Sequence, residues 1–193
     1  TYGNLTEHAT TNGMKTAYLW GNMGTLPIAK VDHASSRQIF YQSFEEDATA
    51  STLEHKTGQR SKQVPGSYSI PSGNKPSFAG NYILSYWAKV GTSPWTYKEK
   101  LFQNYVPGNP ISTDAINGYL DEVRIYPQGA QMTTYTYEPL FGASSMTDPS
   151  NVTTLYEYDD LGRLRCIRDQ DGNIREWYDY VFRSAIPYAL NDQ

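Results

Sequence analysis

The sequence predicts an all-β protein, and three observations carry that expectation. Aromatic residues make up 14% of the 193, with 17 Tyr among them, while charged residues are only 19%. Strands favour aromatic and β-branched side chains, whereas solvent-facing helices draw on Lys, Glu, Ala and Leu. No stretch carries a helical apolar face, and the one helix-like segment, 47–55 (DATASTLEH), has nothing to bury and reads as a loop or a single turn. Short apolar or alternating runs recur along the whole chain, separated by Gly, Pro, Asn and Asp clusters.

Eleven strands follow in order: 17–20, 28–33, 38–45, 62–69, 81–90, 96–105, 119–126, 132–138, 152–159, 164–169 and 174–180. Pro65 within the fourth marks an edge strand or a bulge, because proline cannot donate to a ladder. In 81–90 the alternation puts Tyr82, Leu84, Tyr86, Ala88 and Val90 on the core face and leaves Trp87 partly free. In 119–126 it puts Asp121 on the inward side with Val123 and Ile125. A carboxylate facing inward requires a partner.

The balance of 16 basic and 20 acidic residues gives a net charge of −4, which excludes an electrostatic nucleic-acid footprint. No apolar run approaches the ~18 residues of a membrane-spanning helix. A single cysteine, Cys166, excludes an intrachain disulfide and any multi-cysteine zinc site. The chain begins at Thr1 without an initiator Met or a signal peptide, and reads as a piece of a longer protein.

A repeat marks the C-terminal end. Tyr135-x-Tyr137, Tyr156-x-Tyr158 and Tyr178-x-Tyr180 recur about every 21 residues, and between them Gly142 aligns with Gly162, Asp148 with Asp169 and Asn151 with Asn173. Each unit reads as strand, Gly turn, strand and Asp/Gly/Asn turn, with both tyrosine rings on one face, placed to stack on the next unit. The run Tyr158-Asp159-Asp160-Leu161-Gly162-Arg163-Leu164, then Asp169-x-Asp171-Gly172-Asn173, then Tyr178, resembles the RHS/YD repeat. Residues 132–156 match more loosely, and Tyr18-Leu19-Trp20-Gly21 followed by Pro27-Ile28-Ala29 is a weaker echo. The resemblance implies β-hairpin arrays belonging to a much longer bacterial protein, extracellular or on the cell surface.

The middle follows another grammar. Phe44-Glu45, the turn Thr57-Gly58-Gln59-Arg60-Ser61, the strand Tyr82-Ile83-Leu84-Ser85-Tyr86-Trp87 and the closing Leu120-Asp121-Glu122-Val123 are similar to the galactose-binding-like β-sandwich, a jelly roll used by carbohydrate-binding modules. The organisation expected is therefore repeat-like strands in 1–35, a short sandwich in 36–127 and YD hairpins in 128–193. The resemblance implies a structural Ca²⁺ between Glu45 and Asp121. The alternative for Asp121 is to cap backbone N–H groups or to pair with an Arg such as Arg60. Trp87, Trp95 and Tyr97 are the candidates for stacking on a sugar ring, against the alternative that they simply pack.

Nothing points to catalysis. His8, His33 and His55 stand apart, and Cys166 lies inside a repeat strand. Adjacent acids such as Asp121-Glu122 and Asp159-Asp160 point to opposite strand faces. Asp169-x-Asp171-Gly172-Asn173 lacks the closing Glu of a Ca²⁺ loop and reads as a hairpin turn. The function expected is non-catalytic, structural and adhesive, with carbohydrate binding through exposed aromatics as the alternative. Open repeat edges add the expectation of a homodimer.

Overall fold

The computed structural model describes residues 3–181. Among them are thirteen strands: β1 (Glu7–Ala9), β2 (Lys15–Gly21), β3 (Leu26–Asp32), β4 (Phe40–Gln42), β5 (Lys62–Gly66), β6 (Gly80–Lys89), β7 (Thr96–Tyr105), β8 (Ile116–Pro127), β9 (Gln131–Glu138), β10 (Gly142–Thr147), β11 (Thr153–Tyr158), β12 (Leu164–Asp169) and β13 (Ile174–Trp177). The protein is all-β, built from two antiparallel sheets. Eight strands lie in the order β1-β2-β3-β9-β10-β11-β12-β13, and five gather around β8, which pairs with β6 on one side and with β4 and β5 on the other. Pro65 lies in β5, which among the described residues pairs only with β8, so the proline falls on an edge strand as expected.

The eight-stranded sheet is a meander with one interruption. β3 pairs with β9 from Ala29–Thr134 to Asp32–Gln131, although residues 33–130 separate them in the chain. A recurring hydrogen bond marks where the interruption falls. The second tyrosine of each Tyr-x-Tyr pair donates its hydroxyl to a carbonyl on a preceding strand: Tyr158 to Ala143 at 2.8 Å, Tyr180 to Leu164 at 2.7 Å and Tyr137 to Pro27 at 2.6 Å. Ala143, Leu164 and Pro27 each stand five residues before an aspartate, Asp148, Asp169 and Asp32. β3 thus holds toward β9 the place that β10 holds toward β11 and β12 toward β13. Residues 33–130 occupy what would otherwise be a repeat turn.

The intact turns share one chemistry. The Oδ1 atoms of Asp148, Asp159 and Asp169 each accept the N–H groups two and four residues ahead, at 2.8 to 3.0 Å. Three residues after each aspartate the backbone turns left-handed, at Gly162 and Gly172 and, without a glycine, at Asn151. Asn151, aligned by sequence with Asn173, therefore does the work of Gly172. The rings behave differently from the expectation. Among the described residues no ring pair joins one Tyr-x-Tyr to the next; Tyr158 meets Phe141 instead, with centroids 6.1 Å apart.

Two cores hold the layers. On one face of the five-stranded sheet Phe40, Tyr82, Leu84, Tyr86, Leu120, Val123 and Ile125 pack beneath Phe44, Ile70 and Ile111, which come from connecting segments. The opposite face sets Tyr41 and Tyr126 against Ala17, Ala29, Val31 and Met132 of the eight-stranded sheet. The alanines are fully buried, and their small side chains let the layers approach. Residues 36–127 thus contribute one five-stranded sheet, and the second layer is the repeat sheet itself. Val90, read as core-facing, lies past the end of β6 and is 52% exposed.

β8 breaks the alternation that the sequence suggests. Glu122 has φ +53°, and the register against β6 slips between Ser85–Arg124 and Trp87–Asp121. The bulge places two residues opposite one and switches which parity faces the core. Leu120 and Val123, three apart, therefore enter the same core. On the other edge β5 stops at Leu120 and β4 resumes at Val123, so that Asp121 and Glu122 lie in a gap between two ladders.

Candidate functional site

The segment 56–60 closes that gap, and its backbone gathers the acids. The N–H groups of Lys56 and Thr57 donate to Asp121 Oδ2 at 2.8 and 3.1 Å, and the N–H of Glu122 donates to Oδ1 at 2.7 Å. Gly58 then turns left-handed at φ +58°, and the N–H groups of Gln59 and Arg60 both reach Glu45 Oε1, at 3.0 and 2.9 Å. A Cβ on Gly58 would collide with the Glu45 carboxylate, so only glycine permits this nest of amides. Burial outweighs the two amide hydrogen bonds and raises Glu45 to about 7. Burial, then the neighbouring Glu122 charge, raises Asp121 as well.

Glu122 faces the eight-stranded sheet. It accepts hydroxyl hydrogen bonds from Tyr41, from Thr57 at 2.7 Å and from Thr134 at 3.0 Å, and pairs with Arg124 Nη2 at 2.6 Å. Burial alone would raise its pKa, yet the Arg124 guanidinium and these hydrogen bonds hold it below the usual value. Arg124 Nη1 continues to Asn151 Oδ1 at 3.2 Å, tying the inner layer to a repeat turn.

At one side of this network the layers part. The β3–β9 ladder ends at Ala29–Thr134, and beyond it the strands bound a cleft of about 670 Å³. Trp20, Leu26 and Ile28 line it from β2 and β3, Tyr135, Tyr137 and Glu138 from β9, and Glu45, Glu46, Gln59 and Arg60 from the inserted layer. Gln59 spans it, with its N–H on Glu45 and its Nε2 on Glu138 Oε2 at 2.8 Å. Glu46 Oε1 accepts the N–H of Asn22 across the same gap. A cleft between layers with a few convergent polar groups, one of them a carboxyl with a displaced pKa, is a common setting for a ligand site. All three carboxylates are held by N–H donors of the chain.

The sequence candidates fall in two places. Trp87 and Tyr97 meet edge to face across β6 and β7 at 5.6 Å, with Lys56 Nζ 4.3 Å from the centre of the Trp87 ring. Trp95, partly buried, precedes β7 by one residue, away from the cleft lining. Glu45 and Asp121 are brought to the same segment, 56–60, but the groups that converge on them are N–H donors. Ca²⁺ needs six to eight oxygens, and among the described residues no group of three or more His, Cys, Asp or Glu could hold a metal ion. The pair fits backbone amides and does not fit the cation. For Asp121 it is the backbone-capping alternative that the hydrogen bonds follow; Arg60 lies instead at Glu45. Cys166 is wholly buried, its thiol directed to the Ile167 carbonyl. No helix among the described residues is long and apolar enough to cross a membrane.

Sequence reading singled out Glu45 from the cleft and missed Trp20, Gln59 and Glu138 as its companions. Gly58 was the only local signal of a nest. No protein-family model matches the chain, and no curated protein matches it either.

Proposed function

We propose that this chain is a non-catalytic, structural and adhesive segment of a longer bacterial YD-repeat protein, extracellular or on the cell surface. In this reading residues 36–127, which resemble a galactose-binding-like module, are carried as an inserted layer on the repeat sheet. The observation that supports it best is the recurring tyrosine–carbonyl hydrogen bond. Because Pro27 stands five residues before Asp32 as Ala143 and Leu164 stand before Asp148 and Asp169, the insertion replaces one repeat turn. Turns are where a chain accepts added segments most readily, and where binding surfaces are usually displayed.

Two experiments test the proposal. Tyr137→Phe and Tyr158→Phe each remove one repeat hydrogen bond, worth about 1 kcal/mol, and should lower the urea midpoint by similar amounts. A neutral Tyr137→Phe beside a costly Tyr158→Phe would mean that β3 and β9 are not a repeat unit. Incubation with a panel of polysaccharides should release no reducing ends; sustained release would overturn the non-catalytic reading.

The alternative is a carbohydrate-binding module contacting glycan through Trp87, Trp95 and Tyr97. It is favoured by the Trp87–Tyr97 pair beside the exposed 91–94 turn. Affinity electrophoresis in polysaccharide gels, with Trp95→Ala as control, tests it. Among the described residues the sheet ends in β1 and β13, each paired on one side. Edge pairing into a homodimer would be seen by size-exclusion chromatography with light scattering, and a clean monomer would remove it.

A further inference from the structure

We propose that Asn12 is a spontaneous modification site, whose side-chain amide closes onto the backbone nitrogen of Gly13 and is converted to aspartate and isoaspartate. The chain holds two Asn-Gly pairs, Asn12-Gly13 and Asn117-Gly118, and their surroundings set them apart. Residues 10–14 are all exposed and join β1 to β2. Gly13 turns left-handed at φ +83°, with nothing within 4 Å of the place a Cβ would take, so no side chain obstructs its nitrogen. Asn12 Oδ1 accepts hydrogen bonds from the Thr10 hydroxyl and from the N–H of Met14, the latter at 3.3 Å. The same hydroxyl lies 3.2 Å from the Met14 carbonyl. Asn117 is exposed as well, so access to water does not distinguish the pairs. The backbone does. Asn117 and Gly118 lie inside β8, opposite Pro65 and Val64 of β5, and a Cβ on Gly118 would fall 2.1 Å from the Lys89 carbonyl oxygen. Closing a ring there would require β5 and β8 to part.

The chemistry balances with water alone. The Gly13 nitrogen gives its proton to solvent and forms a bond to Asn12 Cγ. Negative charge gathers on Oδ1, where the Thr10 O–H and the Met14 N–H converge. The Cγ–Nδ2 bond then breaks, Nδ2 takes up a proton and leaves as ammonia, and a cyclic imide remains. Water that opens the imide at Cγ gives aspartate. Water that opens it at the main-chain carbonyl gives isoaspartate, which routes the backbone through the side chain and lengthens it by one carbon. Either product adds a negative charge. The longer turn bears on β1, which has three rungs to β2. β1 carries Glu7, whose Oε2 accepts the Ser35 hydroxyl at 2.7 Å and the Ser36 N–H at 2.9 Å, where the chain leaves β3 for the inserted layer. Isoaspartate at position 12 therefore loosens a tie between the sheet edge and the insertion.

The full chain is aged at pH 8 and 37 °C, natively and in concentrated urea, and its peptides are followed by mass spectrometry and by isoaspartyl methyltransferase labelling. In the native chain Asn12 is expected to convert tenfold or more faster than Asn117, whereas in urea the two rates converge. Thr10→Val should slow native conversion several-fold and leave the rate in urea unchanged, and Thr10→Ser should keep the native rate. Equal native rates at the two sites, or an Asn12 that outlasts Asn117, overturn the assignment. A native rate unaltered or raised by Thr10→Val overturns the part given to the hydroxyl. The isoaspartate form, separated by ion exchange, should exchange the amide hydrogens of residues 7–9 tenfold or more faster than the fresh chain. Equal exchange overturns the link from this turn to the insertion.

Discussion

Replacing Arg124 with methionine removes one half of the pair at the junction of the layers while keeping most of its length. Glu122 would then remain with 1% of its side chain exposed and with only hydroxyl donors from Tyr41, Thr57 and Thr134. Removing one partner of a buried ion pair typically costs ~3–5 kcal/mol. The carboxyl has an escape, which is to take up a proton. From an ordinary value of 4.5, protonation at pH 7 costs about 3.4 kcal/mol at 1.36 kcal/mol per pH unit. The expected loss at pH 7 is therefore roughly 3 kcal/mol, a large share of a typical total of ~5–15 kcal/mol. Without Arg124, burial raises the folded pKa of Glu122 above its unfolded value. A raised carboxyl stabilises at low pH and loses that contribution as pH rises, so the deficit should shrink toward ~1 kcal/mol near pH 5. Urea unfolding of wild type and variant at pH 5, 6, 7 and 8 measures the difference, with titrations common to both cancelling. Adding Glu122→Gln should restore part of the loss at pH 7. A deficit below ~1 kcal/mol at pH 7, or one that grows toward pH 5, would refute the reasoning.

Glu45 predicts a pH dependence of its own. Its folded value of about 7 lies above the ordinary 4.5, so its contribution is complete below about 4.5 and fades as pH rises through 7. The shift corresponds to ~3 kcal/mol at most, roughly 1–2 kcal/mol after solvent screening, and Glu45→Gln should flatten that slope in thermal melts. Gly118→Ala should destabilise by several kcal/mol, because its Cβ would fall on the Lys89 carbonyl oxygen; a variant melting with wild type would contradict the close approach of β6 and β8. The Cys166 thiol, wholly buried, should react with a thiol-disulfide dye only after unfolding, and rapid native labelling would show that β12 opens.

Which parts of this structure could be read from sequence follows from the range of the interactions. The core face of β6 was legible in Tyr82, Leu84, Tyr86 and Ala88, because alternation within an unbroken strand is local. The face of β8 was not, since the bulge at Glu122 carries no glycine and is held by partners far along the chain. β10, Gly-Ala-Ser-Ser-Met-Thr, has no aromatic residue and only one β-branched residue, Thr147, to announce a strand, and its buried Ser145 is held by a hydroxyl pair with Thr136. β1 spans only Glu7–Ala9 and gains its identity from β2. The cleft was illegible for the same reason. Trp20, Glu45, Gln59 and Glu138 come from four separate segments, and only the β3–β9 pairing brings them together.

The way the insertion leaves and rejoins the sheet also determines how the molecule would bear tension. A pull on the two ends of the chain reaches β3 at Leu26 and β9 at Glu138, the open end of their antiparallel pair. The first bond to meet the load there is the one from the Tyr137 hydroxyl to Pro27, followed by the rungs from Ala29–Thr134 to Asp32–Gln131. The inserted layer joins the chain at the far end of this zipper, but Gln59 on Glu138 and Glu46 on Asn22 tie it to the loaded end as well. The cleft lies between those loaded strand ends, so tension would change its width before the short ladder from Ala29–Thr134 to Asp32–Gln131 gives way.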